Sequence, residues 1–165
     1  MLRFVVPVLL ASTVSAHAKE QPDWSGSYYC KVTAMAGISR NSTTKEWNSA
    51  RFTVEDEAQI VTVKKTKLQY PEIFGKETTY TISVKDFGDT SKAYNCLYFF
   101  SDNADAENIP VRESSGASCN WFGSTFFFNF KNLKMQTMFR GGYMDGLDEN
   151  TDTPYVAVAK CDKVG

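Results

Sequence analysis

From residue 26 onward the chain is written in short runs that alternate apolar and polar side chains every second position, the period of a strand with one buried face. Gly26 to about Met35 sets Tyr28, Cys30, Val32 and Ala34 on one side. Trp47 to Val54 and Gln59 to Leu68 repeat the pattern, the latter opening on Ile60-Val61-Thr62-Val63 and ending in lysines. Thr78 to Asp86 places Tyr80, Ile82 and Val84 against threonine, serine and lysine. Tyr94 to Phe100 is almost wholly apolar, and Cys119 to Phe122, Thr125 to Lys131, Leu133 to Arg140 and Tyr155 to Cys161 complete the set. Turn-formers punctuate these runs: Gly37 with Ser39 to Lys45, the acidic Glu55-Asp56-Glu57, and Tyr70-Pro71 to Lys76. Ser101 to Ser118 reads as a long polar connection, and no helical stripe stands out.

Eight or nine strands with short connections predict an all-β, antiparallel barrel, with a β-sandwich as the alternative. The barrel is preferred because Tyr94 to Phe100 and Phe126 to Phe130 carry rings on both faces of a strand. Closure would hide the sheet edges and turn part of those rings inward. A lumen that the rings do not fill completely becomes a ligand cavity.

The stretch before the strands has a different grammar. Arg3 lies beside the amino terminus, an apolar run extends from Phe4 to Val14, and Ala16-His17-Ala18 ends it with small residues, the pattern of a secretory signal over residues 1–18. The run is too short to span a bilayer, so no membrane insertion is expected once it is cleaved. The chain's single histidine is His17, inside that leader. Residues 19–165 therefore lack the side chain that Ser-His-Asp and Cys-His catalysis and histidine-ligated metal sites require. They form one domain, of a size that buries one core.

Four cysteines in an exported chain argue for two disulfides. Three pairings are open. The preferred one joins Cys30 to Cys161, tying the first strand to the last, and Cys96 to Cys119, closing a local loop. Chain entropy puts these at about 5 and about 3.5 kcal/mol. No Cys-x-x-Cys spacing suggests a reactive thiol or thiolate metal site.

The composition adds exclusions. With 18 Lys plus Arg against 19 Asp plus Glu there is no cationic surplus for nucleic acid. Aromatic residues make up 14% of the chain, an excess that has to be buried or used. Tyr98, Phe100, Trp121, Phe126, Phe128 and Phe130 are the candidate ligand-binding rings; simple core packing accounts for the same alternation. Asp145 to Asp152 spaces Asp148, Asn150 and Asp152 like the front half of a calcium loop, although Thr153 and Ala159 stand where that motif needs glycine and glutamate, and a solvated hairpin loop explains the same letters. Asp102, Asn103, Asp105 and Glu107 form a second acidic loop, and both loops at a barrel mouth would disfavour anionic ligands. Lys64, Lys65, Lys67, Lys131, Lys134 and Arg140 read as wet strand faces and edge protection. Asn41-Ser42-Thr43 is a glycosylation sequon.

Trp24-Ser25-Gly26-Ser27-Tyr28-Tyr29-Cys30, with an aromatic residue and glycine just ahead of the first strand, resembles the opening of lipocalin-type (calycin) barrels, and Cys161 falls in the region of their final-strand cysteine. Tyr28-Tyr29-Cys30 also resembles the early strand of exported lysozyme-inhibitor barrels. Gly141-Gly142-Tyr143 and Thr153-Pro154-Tyr155-Val156 up to Cys161 are similar to uncharacterised exported bacterial proteins. These resemblances imply a small exported barrel. Together with the residue inventory they give the expectation of a secreted or periplasmic, monomeric, non-enzymatic protein without cofactor or metal. Its ligand would be a small apolar or amphipathic molecule. The alternatives are a protein-binding module, such as a hydrolase inhibitor, acting through loops Ser101 to Ser118 and Gly141 to Thr153, or a carbohydrate-acting enzyme using two carboxylates.

Overall fold

A computed structural model describes residues 22–70, 77–98, 106–112, 114–145 and 152–164. The leader over residues 1–18, Phe100, the acidic group at 102–105 and most of the loop over 145–152 lie outside the described residues. Ten strands follow one another: β1 (Gly26–Arg40), β2 (Trp47–Phe52), β3 (Ala58–Tyr70), β4 (Glu77–Asp86), β5 (Tyr94–Asn95), β6 (Ile109–Val111), β7 (Gly116–Trp121), β8 (Ser124–Asn129), β9 (Lys134–Phe139) and β10 (Tyr155–Val164). The only helical turn among the described residues is a 3-10 turn at Tyr143–Asp145. The protein is all-β and antiparallel, because two-residue alternation gives each strand one apolar face to bury.

The strands form one sheet in the order β5-β4-β3-β1-β10-β9-β8-β7, with β2 added to β1 and β6 to β4. The expected closed barrel is not formed. At the seam between the two ends of this path, successive backbone groups bond to different neighbours: the Cys96 N–H donates to Ile82, Leu97 exchanges bonds with Asn120, and the Tyr98 N–H donates to Ala106. No ladder can build from such a sequence. The ends are fastened instead by the single Leu97–Asn120 bridge and by the Cys96–Cys119 disulfide. The second disulfide, Cys30–Cys161, links residues directly opposite each other on β1 and β10 in the middle of the sheet.

Other expectations need correction. β1 does not end near Met35 but runs to Arg40, because Met35 to Arg40 finds a new partner in β2; the loop is only Asn41–Glu46. Tyr94 to Phe100 is not one strand, since only Tyr94 and Asn95 pair with β4. The polar connection from Ser101 contains β6, whose Ile109, Pro110 and Val111 are all buried, and the start of β7. Proline is tolerated there because β6 is a short strand at the margin of the sheet.

The core lies between the curled flanks of the sheet. On β8, Phe126 and Phe128 turn inward while Phe127 stays on the outer face, and Phe130 continues the inward row just beyond the strand. Their rings stack in register, Phe126–Phe128 at 6.3 Å and Phe128–Phe130 at 5.6 Å. Val61, Val63, Ile82, Val84, Met135 and Ile109 close around them. Fully burying one such side chain contributes about 1.5–3 kcal/mol, so this row is the main apolar support of the fold.

Candidate functional site

The ring row is longer than β8. At one end Trp24 stacks on Phe130 at 6.3 Å, and Tyr28 tilts against the same ring at 5.4 Å. The backbone just ahead of β1 is pinned across this end, where the Tyr28 hydroxyl donates to the Trp24 carbonyl at 2.7 Å and the Trp24 N–H donates to the Tyr80 hydroxyl at 3.3 Å. Gly26, at a φ of 145°, lets the chain turn from this crossing into β1. The remaining void between Tyr28, Val61, Phe128 and Phe130 is about 10 Å³, at the lower limit of what one water needs (~10–15 Å³). This end is packed shut.

At the other end the row surfaces. Tyr94 leans on Phe126 at 6.4 Å and stacks flat on Trp121 at 5.0 Å with an 8° interplanar angle. The register explains why space opens here: the inward rung Phe128–Met135–Ala159 is followed by Phe126–Thr137–Ala157, and the two small side chains leave room beneath the rim. Two connected clefts of about 330 and 410 Å³ occupy that room, sharing Gln59, Asp86, Thr137 and Tyr155 in their walls. Each is the size of an ordinary small-molecule site. Phe139 and Tyr155, stacked at 5.7 Å, border the narrower cleft together with Tyr94 and Trp121.

Among the described residues the charged groups of this mouth are acidic. The Gln59 side-chain amide donates to Asp86 at 2.9 Å, fixing one carboxylate at the rim, and Asp56 and Glu57 stand along the wider cleft. Burial pushes the Tyr94 hydroxyl up to about 12, with the Asp86 carboxylate and Tyr155 adding to the shift. Burial likewise raises Tyr155, followed by the negative charges of Asp86 and Glu57. Both hydroxyls are therefore neutral donors at ordinary pH.

Phe122 stands at the lip. It and Gly123 form the tip of the β7–β8 hairpin, both with positive φ, 37° and 78°. Two-residue hairpin turns of this kind prefer Asn-Gly or Asp-Gly. A phenylalanine there is strained as well as 90% exposed, yet its ring borders the cleft.

Of the rings singled out from sequence, Trp121 and Phe126 border the cleft. Phe128 and Phe130 are core, and Tyr98 is half-buried against the core near the seam. Phe100 lies outside the described residues. Sequence reasoning missed Tyr94, Phe139, Tyr155, Gln59 and Asp86, which come from five other strands. The available signal was the run of small inward residues, Thr137 and Ala157, and the ill-matched Phe122-Gly123 turn. No protein family, curated protein or solved structure matches the chain.

Proposed function

We propose that this chain is an exported, non-enzymatic binding protein that takes a small amphipathic ligand at its open mouth. The observation that carries the reading is the surfacing of the ring row at Tyr94 and Trp121 beside a ligand-sized cleft, with the strained Phe122 at its lip. A structure that only needed a core would not maintain an exposed ring at a backbone position that disfavours it. Two disulfides suit an oxidising compartment, in line with export.

Titration with the neutral solvatochromic dye Nile red tests this. Binding is expected to saturate, to weaken at least fivefold in Trp121→Ala, and to be unaffected by Phe127→Ala on the outer face. Absence of saturable binding, or equal sensitivity to both substitutions, would refute it.

A second reading, a protein-binding module, is favoured by one separate observation. Tyr143 and Met144 are exposed on the 3-10 turn, with Trp47 packed edge-on against Tyr143 at 5.6 Å. That patch belongs to the Gly141 to Thr153 segment, so a Tyr143→Ser/Met144→Ser variant that loses a protein partner while keeping dye binding would select it.

A further inference from the structure

We infer that the open mouth selects a small organic cation with an apolar body, such as a quaternary ammonium or guanidinium attached to an aromatic or short aliphatic group. The inference rests on the ligand-binding reading and specifies its chemistry. Among the described residues three carboxylates, Asp56, Glu57 and Asp86, border the two clefts, and no lysine or arginine does. A concave site with charges of one sign and low-dielectric walls focuses its field on the space between them. The narrower cleft is bordered by the rings of Tyr94 and Trp121, stacked on each other, and of Phe139 and Tyr155, likewise stacked. Ring faces attract a cation and tolerate its apolar substituents.

The arrangement also separates an organic cation from a metal ion. Among the described residues no three His, Cys, Asp or Glu side chains converge as a metal's ligands would. Asp86 is held by Gln59 at the rim, whereas Asp56 and Glu57 lie on the turn leading into β3. Charge spread around a ring-lined opening matches a bulky, weakly hydrated cation; a compact divalent ion demands converging oxygens at short range. The raised tyrosines are consistent with the same negative potential, because part of their shift comes from Asp86 and Glu57. An anionic ligand of equal shape would meet that potential with the opposite sign.

The test compares three probes that share one body: trimethyl(naphthylmethyl)ammonium, its neutral carbon isostere, and naphthalenesulfonate. Each is titrated against the full chain with its disulfides intact, by calorimetry and by tryptophan fluorescence. The cation is expected to bind roughly tenfold more tightly than the isostere, and the sulfonate more weakly than either. Glu57→Gln with Asp86→Asn removes charge at exposed positions while keeping shape, and is expected to bring the cation to the affinity of the isostere, whose own binding stays unchanged. Raised salt should act on the cation in the same direction. Equal affinity of cation and isostere, or a cation affinity indifferent to the double substitution, would overturn the charge selection and leave the cleft standing as a ligand site. Failure of all three probes to bind would overturn both.

Discussion

The two ends of the ring row obey the same register and reach opposite outcomes. At the sealed end Trp24, Tyr28 and Phe130 meet ring to ring, and backbone and hydroxyl bonds lace the chain across them. At the mouth the corresponding inward positions are Thr137 and Ala157, and Tyr94 and Trp121 border a cleft. The backbone pairing differs too: toward the base β1 pairs with β3 over Gly26–Lys31, whereas at the mouth its register shifts between Val32 and Ala34 and from Met35 it pairs with β2. Side-chain volume along a strand, together with this switch of pairing, sets where this molecule is core and where it is a surface for something else.

The contrast can be broken most strongly at the sealed end. Phe130→Ala is expected to cost about 3–5 kcal/mol of unfolding free energy, whereas Thr137→Ala, beside an existing cleft, should cost under about 1 kcal/mol. Urea denaturation of both variants measures the difference, and equal losses would mean that the mouth is packed as tightly as the base. Next in size is the seam. Cys96→Ala/Cys119→Ala is expected to remove about 3.5 kcal/mol and to raise hydrogen exchange first at Leu97 and Asn120, whose two mutual bonds lie beside it at the seam.

A smaller effect with opposite signs sharpens the comparison at the lip. Phe122→Asn supplies the residue its turn prefers and should raise stability by about 0.5–1 kcal/mol while weakening ligand binding. A variant that is both more stable and fully competent to bind would remove Phe122 from the site. The smallest effect appears only in alkali. In the folded protein Tyr94 keeps its proton to about pH 12, against about 10 when unfolded. The folded state therefore binds the extra proton between these values. The contribution is complete below pH 10 and is lost as the pH rises to about 12. Tyr155 at the mouth and Tyr28 and Tyr80 at the base shift in the same direction. Tyrosinate absorbance at 295 nm should show the highest-pH phase disappearing in Tyr94→Phe.

Much of the scaffold was legible in the sequence because a strand with one buried face has to alternate. Tyr80-Ile82-Val84 and Phe126-Phe128-Phe130 are inward rows, and the four cysteines form the two preferred bonds. Closure was not legible, because the seam depends on where the Cys96, Leu97 and Tyr98 amides point, and a run of apolar letters does not encode that. β6 was hidden for a related reason: three buried residues in a polar stretch are too few to show a period. The candidate site was legible only in part. Trp121 and Phe126 stand out as rings, but the cleft comes from what faces them. Thr137 and Ala157 are unremarkable letters until register sets them on one rung with Phe126.

The bond between Cys30 and Cys161 encloses the one between Cys96 and Cys119, and β1 finds its long partner only in β10. A chain oxidised in order of emergence from a translocation pore would join Cys30 to Cys96 before either native partner had arrived. For a chain exported as proposed, correct maturation would then require thiol exchange to undo that early crosslink, and its yield is expected to fall when a disulfide isomerase is lacking.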